Sequence, residues 1–214
     1  MATVCPAILA VNENDYQQEM DKVAGFANRI QIDLTDGQFA PSRTISPQQA
    51  WWPAGILADF HLMYYQPAGA VQQILGHKPN MIIVHAEAEG NFQVVADLCH
   101  RQAVKVGLAL LQNTAPEAII AGLESVDHVL IFSGDLGNYG GQADMSLLKK
   151  IETLKSHKSE LEIGWDGGIN DQNISELILN GVDVLNVGGF IQNAENPAKA
   201  YEVLQRIADE TGTT

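Results

Sequence analysis

The 214-residue sequence is 46% apolar and 18% charged, with 12 basic against 26 acidic side chains and a formal net charge of −14. This is a globular composition with room for a core that needs no staples. The acid surplus argues against nucleic acid or anionic lipid as partner, since phosphate backbones are gripped by Lys and Arg. No apolar run approaches the ~20 residues that span a bilayer, and the opening MATVCPAILAVNEND has no basic segment ahead of its short apolar stretch. Cys5 and Cys99 stand far apart in apolar surroundings without CxxC spacing, which predicts free buried thiols and a cytoplasmic protein.

Along the chain, short apolar runs suited to buried strands alternate with stretches of helical spacing. The strands are predicted at 4–9, 29–34, 58–63, 81–85, 105–110, 128–132, 162–165 and 184–187. Helices are predicted between them at 14–24, 68–75, 91–102, 115–123, 145–156 and 172–179, with 197–210 closing the chain. A further helix is expected after Pro47, carrying Trp51 and Trp52. Thr114, Asp144 and Asn196 supply helix-start chemistry. Eight βα units in 214 residues predict a (β/α)₈ TIM barrel of the α/β class, one domain over 1–214, since no linker divides the chain. A doubly wound open sheet is the competitor. It is disfavoured by the strand count and by Pro6 and Ala7 standing where a GxGxxG turn would follow the first strand.

In a barrel the chemistry sits where strands end and βα loops begin. The polar residues there are Gln31, Asp33 and Asp36, then His61, His85, Ser133 with Asp135, Asp166, and the pair Gly188 and Gly189. Period-two alternation puts Gln31 and Asp33 on the same side of their strand. If that side is the barrel interior, they meet His61 and Asp166 in a donor set suited to a divalent cation. The alternative is that Gln31 and His61 are satisfied interior groups and that the aspartates cap loops. Glycines cluster after the last three strands, in GNYGGQ (137–142), DGGIN (166–170) and NVGGF (186–190). Their backbone N–H groups can approach an anion closely, as in the phosphate sites of many barrels.

PAIL (6–9), IDLTDGQFAPS (32–42), DFHLM (59–63), VHAEA (84–88), GGQ (140–142) and WDGGIN (165–170) occur in that order, and with them the sequence resembles the ribulose-phosphate 3-epimerase family. The resemblance implies a barrel that binds a phosphorylated ketopentose, with a divalent metal held by two His and two Asp. The two aspartates exchange the C3 proton, one on each face. On that basis Asp33 and Asp166 are the acid–base pair and metal ligands, and His61 is a ligand. Met63 lines the substrate site. Gly140, Gly141, Gln142, Gly167, Gly168, Gly188 and Gly189 match the substrate and phosphate loops.

Gln31 stands where the family has histidine. An amide oxygen is a poorer, harder donor than imidazole, so Gln31 is a weak ligand. Zinc affinity falls, and manganese, magnesium, iron or no metal becomes the expectation. Ala7 replaces a substrate-holding serine, Thr35 and Phe132 replace two methionines, Leu136 replaces a proline, and Gly189 replaces a serine.

The leading expectation is a metal-assisted epimerase acting on D-ribulose 5-phosphate or a related ketose phosphate. The alternatives are a non-catalytic phosphosugar-binding barrel that has lost the metal, and another phosphate-binding barrel enzyme using an acid–base pair. His85 is a candidate replacement for the missing histidine, although a structural role is expected. Trp51 and Trp52 are expected to pack the outer layer and to mark a homodimer or higher homo-oligomer interface. Trp165 alternates away from Asp166 towards the helices, and no role is assigned to His77, His100, His128 or His157. Tyr139 is expected to act as a lid over the substrate.

Overall fold

The computed structural model describes residues 2–213. Eight parallel strands close into a barrel in sequence order: β1 (Thr3–Ile8), β2 (Arg29–Thr35), β3 (Leu57–Met63), β4 (Met81–His85), β5 (Lys105–Leu110), β6 (His128–Phe132), β7 (Glu162–Asp166) and β8 (Val184–Val187). Helices α1 (Glu13–Val23), α2 (Ala68–Leu75), α3 (Phe92–His100), α4 (Lys149–His157), α5 (Ile174–Leu179), α6 (Gly189–Gln192) and α7 (Pro197–Thr211) form the outer layer. The architecture is a (β/α)₈ barrel. Among the described residues, no helix is long and apolar enough to cross a membrane.

Alternation along β2 decides what enters the barrel. Ile30, Ile32 and Leu34 join the large apolar cluster between sheet and helices, so Arg29, Gln31 and Asp33 point inward. Trp165 packs outward in the same cluster, as expected, and leaves Asp166 inside. The interior is layered. Met81, Ile83, Ala109 and Leu130 form a small apolar plug at mid-height. Below it lies an ionic floor, where Arg29 donates to Asp59 at 2.6 Å and to both oxygens of Glu162 at 2.9 and 3.0 Å, with His128 on Glu162 at 2.8 Å. Above the plug is the mouth. Both cysteines are free and buried.

Three local predictions need correction. Trp51 and Trp52 lie on no helix: only a single 3₁₀ turn, Pro47–Gln49, follows β2, and Trp52 precedes Pro53, which disfavours helical backbone at that position. Segment 115–123 forms a 3₁₀ helix, Pro116–Ser125, without a side-chain cap, so Thr114 does not start it. Helix 145–156 begins with a 3₁₀ turn, Met145–Leu148, before α4. Asp144 and Asn196 do cap, accepting from the Ser146 and Lys199 N–H groups.

Candidate active site

The β2–β3 register sets Asp33 beside His61, and the β6–β7–β8 register sets Phe132, Asp166 and Asn186 in a row. Closing the barrel brings these two groups together over the apolar plug. Gln31 joins the two carboxylates: its Nε2 donates to Asp33 Oδ1 at 2.9 Å and to Asp166 Oδ2 at 2.6 Å. His61 Nδ1 lies 2.9 Å from Asp33 Oδ1 and 3.6 Å from Asp166 Oδ2. Gln31 and His61 are fully enclosed, whereas both aspartates keep an edge open to the mouth. Burial, and then the charge of Asp33, push the Asp166 carboxyl up to about 7, with His61 and Gln31 pulling the other way.

His85 does not join this group. Its Nε2 lies 2.9 Å from His61 Nε2, and its Nδ1 faces Glu87 Oε2 at 3.4 Å, neither of those last two atoms having another partner. Burial pushes the His85 imidazole down to about 4, so the ring is neutral at pH 7. Burial opposes the Glu87 charge, but hydrogen bonds from His85, Thr114 and the Leu111 N–H hold its carboxyl below the usual range.

These states assign the protons. With Glu87 ionised, His85 carries its hydrogen on Nδ1 and accepts at Nε2, so His61 donates to it through Nε2. His61 Nδ1 faces the two carboxylate oxygens, at 2.9 Å from Asp33 and 3.6 Å from Asp166. Asp33, His61 and Asp166 each offer a ligand atom within 4.8 Å of one another, a donor set that fits a divalent cation. Gln31 departs from it as oriented here. Its N–H groups face the carboxylates and its Oε1 is enclosed without a partner, so the oxygen reaches a cation only after the amide turns over.

A cavity of about 340 Å³ opens over these carboxylates. Met63 lines it, as do Gly140, Gly141, Gly167, Gly168, Gly188 and Gly189, whereas Gln142 does not. Two of the glycines are required by close backbone approach. A Cβ on Gly167 (φ +114°) would meet Gly134 N at 2.1 Å, and one on Gly168 (φ +70°) would meet Ala143 N at 2.2 Å. The loops after β6 and β7 therefore pack backbone to backbone.

The other strand-end residues have local duties. Asp36 accepts from the Gln38, Phe39 and Tyr65 N–H groups, Ser133 Oγ accepts from the Asp144 N–H, and Asp135 is exposed. Thr35 bonds the Ser42 carbonyl, while Ala7 and Phe132 line the cavity. His77, His100 and His157 are exposed, and His128 belongs to the floor.

Asn186 was not singled out from the sequence. It is 3% exposed, lines the cavity, and its Nδ2 has no partner. An asparagine at the inward position of an otherwise apolar strand was the available signal. Glu87 was also missed, since its role depends on a histidine two residues earlier being turned inward.

The profile of the ribulose-phosphate 3-epimerase family matches residues 3–192. Ribulose-phosphate 3-epimerase of Helicobacter pylori (strain ATCC 700392 / 26695) is 31% identical over 212 residues, covering 95% of this chain and 97% of the relative. That of Bacillus subtilis (strain 168) is 31% identical over 215 residues, covering 96% and 99%. Among solved structures, 3-hexulose-6-phosphate synthase from Salmonella typhimurium superposes with a TM-score of 0.73 at 15% identity, covering 97% of this chain and 99% of that one. KGPDC from Streptococcus mutans superposes at 0.70 with 10% identity and 99% of each chain covered. These two likenesses concern the fold.

Proposed function

The chain belongs to the ribulose-phosphate 3-epimerase family, and on that premise we propose that it interconverts D-ribulose 5-phosphate and D-xylulose 5-phosphate, or a closely related pair of ketose phosphates. One carboxylate of the Asp33–Asp166 pair removes the C3 proton and the other, protonated, returns one to the opposite face. The observation that carries this reading is the pairing of the two carboxylates through Gln31 at 2.9 and 2.6 Å. A two-base exchange needs one carboxyl ionised and one protonated near neutral pH, and the raised carboxyl of Asp166 beside Asp33 supports that division.

A cation bound by Asp33, His61 and Asp166 would supply Lewis-acid stabilisation of the enediolate. The oxygen-rich donor set favours manganese, magnesium or iron over zinc. His85 and Glu87 orient His61. Met63 and Phe132 shape the apolar side of the cavity, whose 340 Å³ lies within the range of small-molecule sites. The backbone N–H groups of Gly140, Gly141, Gly167, Gly168, Gly188 and Gly189 hold the phosphate, a task that falls to main-chain dipoles in so acidic a chain. Trp51, 40% exposed, marks the face of a homodimer, and the protein acts in the cytoplasm.

The test is proton exchange at C3 of ribulose 5-phosphate in D₂O, followed by NMR with chelator, Zn²⁺, Mn²⁺ and Mg²⁺ in turn. Deuterium enters C3, and Asp33→Asn or Asp166→Asn slows entry by about 10²–10⁴-fold. Saturable sugar-phosphate binding without exchange under any condition would replace the enzyme with a binding protein.

A further inference from the structure

Tyr139 is not a free lid residue. Its phenol O–H donates to Glu19 Oε2 at 2.5 Å, its oxygen accepts from the Leu9 N–H at 2.5 Å, and the Ala7 carbonyl lies 3.2 Å away. Glu19 Oε2 also accepts from the Leu9 N–H at 3.0 Å. A residue of the β6 loop is thus bound at once to the end of β1 and to a half-buried carboxylate of α1.

The ring has a second seat, on Gly188. A Cβ there would lie 2.5 Å from the Cδ1 of Tyr139 and 2.6 Å from its Cε1. Gly188 has a negative φ of −89°, outside the left-handed region, and the aromatic ring occupies the space that a side chain would need. Directly behind the phenol the chain turns through Gly140 and Gly141, at φ +100° and +84°, and a Cβ on Gly189 would lie 3.5 Å from Gly140 N. The ring therefore spaces the glycines after β6 from those after β8, and the hydroxyl contact holds the ring in that seat. Another tie on this loop is Ser42 Oγ donating to the Gly137 carbonyl at 2.8 Å, on the far side of Asn138.

We propose that Tyr139 and Glu19 form a latch that sets the β6 loop against the β8 loop, and that Glu19, which does not itself line the cavity, is a positioning residue for phosphate binding. The proposal rests on the reading in which those glycines hold the substrate phosphate. An anion held by main-chain N–H groups is bound well only where the loops are already in place, because ordering them on binding subtracts from affinity. Glycine-rich loops are the most costly to order, and the latch does that ordering in advance.

The variants are Tyr139→Phe, which keeps the ring on Gly188 and removes one hydroxyl, Glu19→Ala, Glu19→Gln, and the Tyr139→Phe/Glu19→Ala double variant. Three quantities are read on each: amide hydrogen exchange across 134–142, the dissociation constant of inorganic phosphate by calorimetry, and KM and kcat for ribulose 5-phosphate. In Tyr139→Phe and Glu19→Ala, exchange in 134–142 accelerates about fivefold or more, phosphate binds about fivefold more weakly, and KM rises by more than kcat falls. The double variant is at least as impaired as either single one, since it removes both acceptors of the Leu9 N–H. Glu19→Gln, which still accepts the phenol proton, recovers most of the loss. Unchanged exchange and unchanged phosphate binding in Tyr139→Phe would overturn the latch. Weaker phosphate with unchanged exchange would overturn the positioning role in favour of direct contact. If the unaltered protein binds no phosphate while Tyr139→Phe still loosens 134–142, the positioning role falls together with the phosphate reading, and only a loop anchor remains.

Discussion

Gln31 on β2 donates to Asp166 on β7 at 2.6 Å across the barrel axis, and the same nitrogen serves Asp33 at 2.9 Å. Gln31 thus presents hydrogens to the two carboxylates. It partly offsets their mutual repulsion, and its oxygen is left enclosed and unpartnered.

Replacing that amide with imidazole supplies a softer nitrogen donor beside Asp33, His61 and Asp166. Gln31→His is expected to raise Zn²⁺ affinity by about tenfold or more, by the scale on which small changes around a metal act. Competition against a chromogenic chelator measures it. Equal zinc affinity in both proteins would show that the fourth position contributes nothing.

Gly167 and Gly122 make a matched pair for the backbone argument. An alanine at Gly167 would meet Gly134 N at 2.1 Å with φ at +114°, whereas nothing lies within 4 Å of a Cβ on Gly122. Gly167→Ala is expected to cost at least about 1–3 kcal/mol through backbone strain alone. Gly122→Ala is expected to be neutral or stabilising by up to about 1 kcal/mol. Urea unfolding of both variants checks the contrast.

The ionic floor predicts a pH dependence separate from the mouth. Burial opposes the charge of Glu162, but hydrogen bonds from His128 and Arg29 outweigh it and hold the carboxyl well below its ordinary 4.5. A depressed folded-state pKa contributes stability that is fully present above 4.5 and is lost as pH falls below it. Glu162→Gln should therefore destabilise the protein at pH 7 by about 1–3 kcal/mol. The gap should narrow steadily as the pH is lowered below 4.5. Paired denaturation curves across that range give the answer, and a gap independent of pH would remove the charge from the explanation.

Trp51, 40% exposed, has its edge against Tyr16 at a centroid distance of 6.1 Å. Trp52 is packed inward on Phe60 at 5.6 Å. Only Trp51 is therefore available to a second copy. With Trp51 at the interface of the proposed homodimer, Trp51→Arg is expected to lower the mass found by light scattering from dimer to monomer while leaving the fold intact by circular dichroism. An unchanged mass would place the interface elsewhere.

Much of this site was legible because period-two alternation is a local property. Once Ile30, Ile32 and Leu34 are recognised as the core face, Gln31 and Asp33 must share the other. The same reasoning reaches His61 and Asp166 through their own strands. The helix expected at Trp51 failed because Pro53 redirects the backbone just after a turn that had begun as helix. Asn186 passed unnoticed inside a glycine motif that drew attention to its neighbours.

Local pattern by itself determined the strands, their inward faces and the residues at their ends, because pleat and burial act over two to four positions. The tertiary structure alone decided which atoms of those residues meet. Gln31 and Asp166 lie 135 positions apart, and Tyr139 and Glu19 lie 120 apart. The turn of an amide, the proton on a histidine and the partner of a phenol depend on groups that only barrel closure brings within hydrogen-bonding distance.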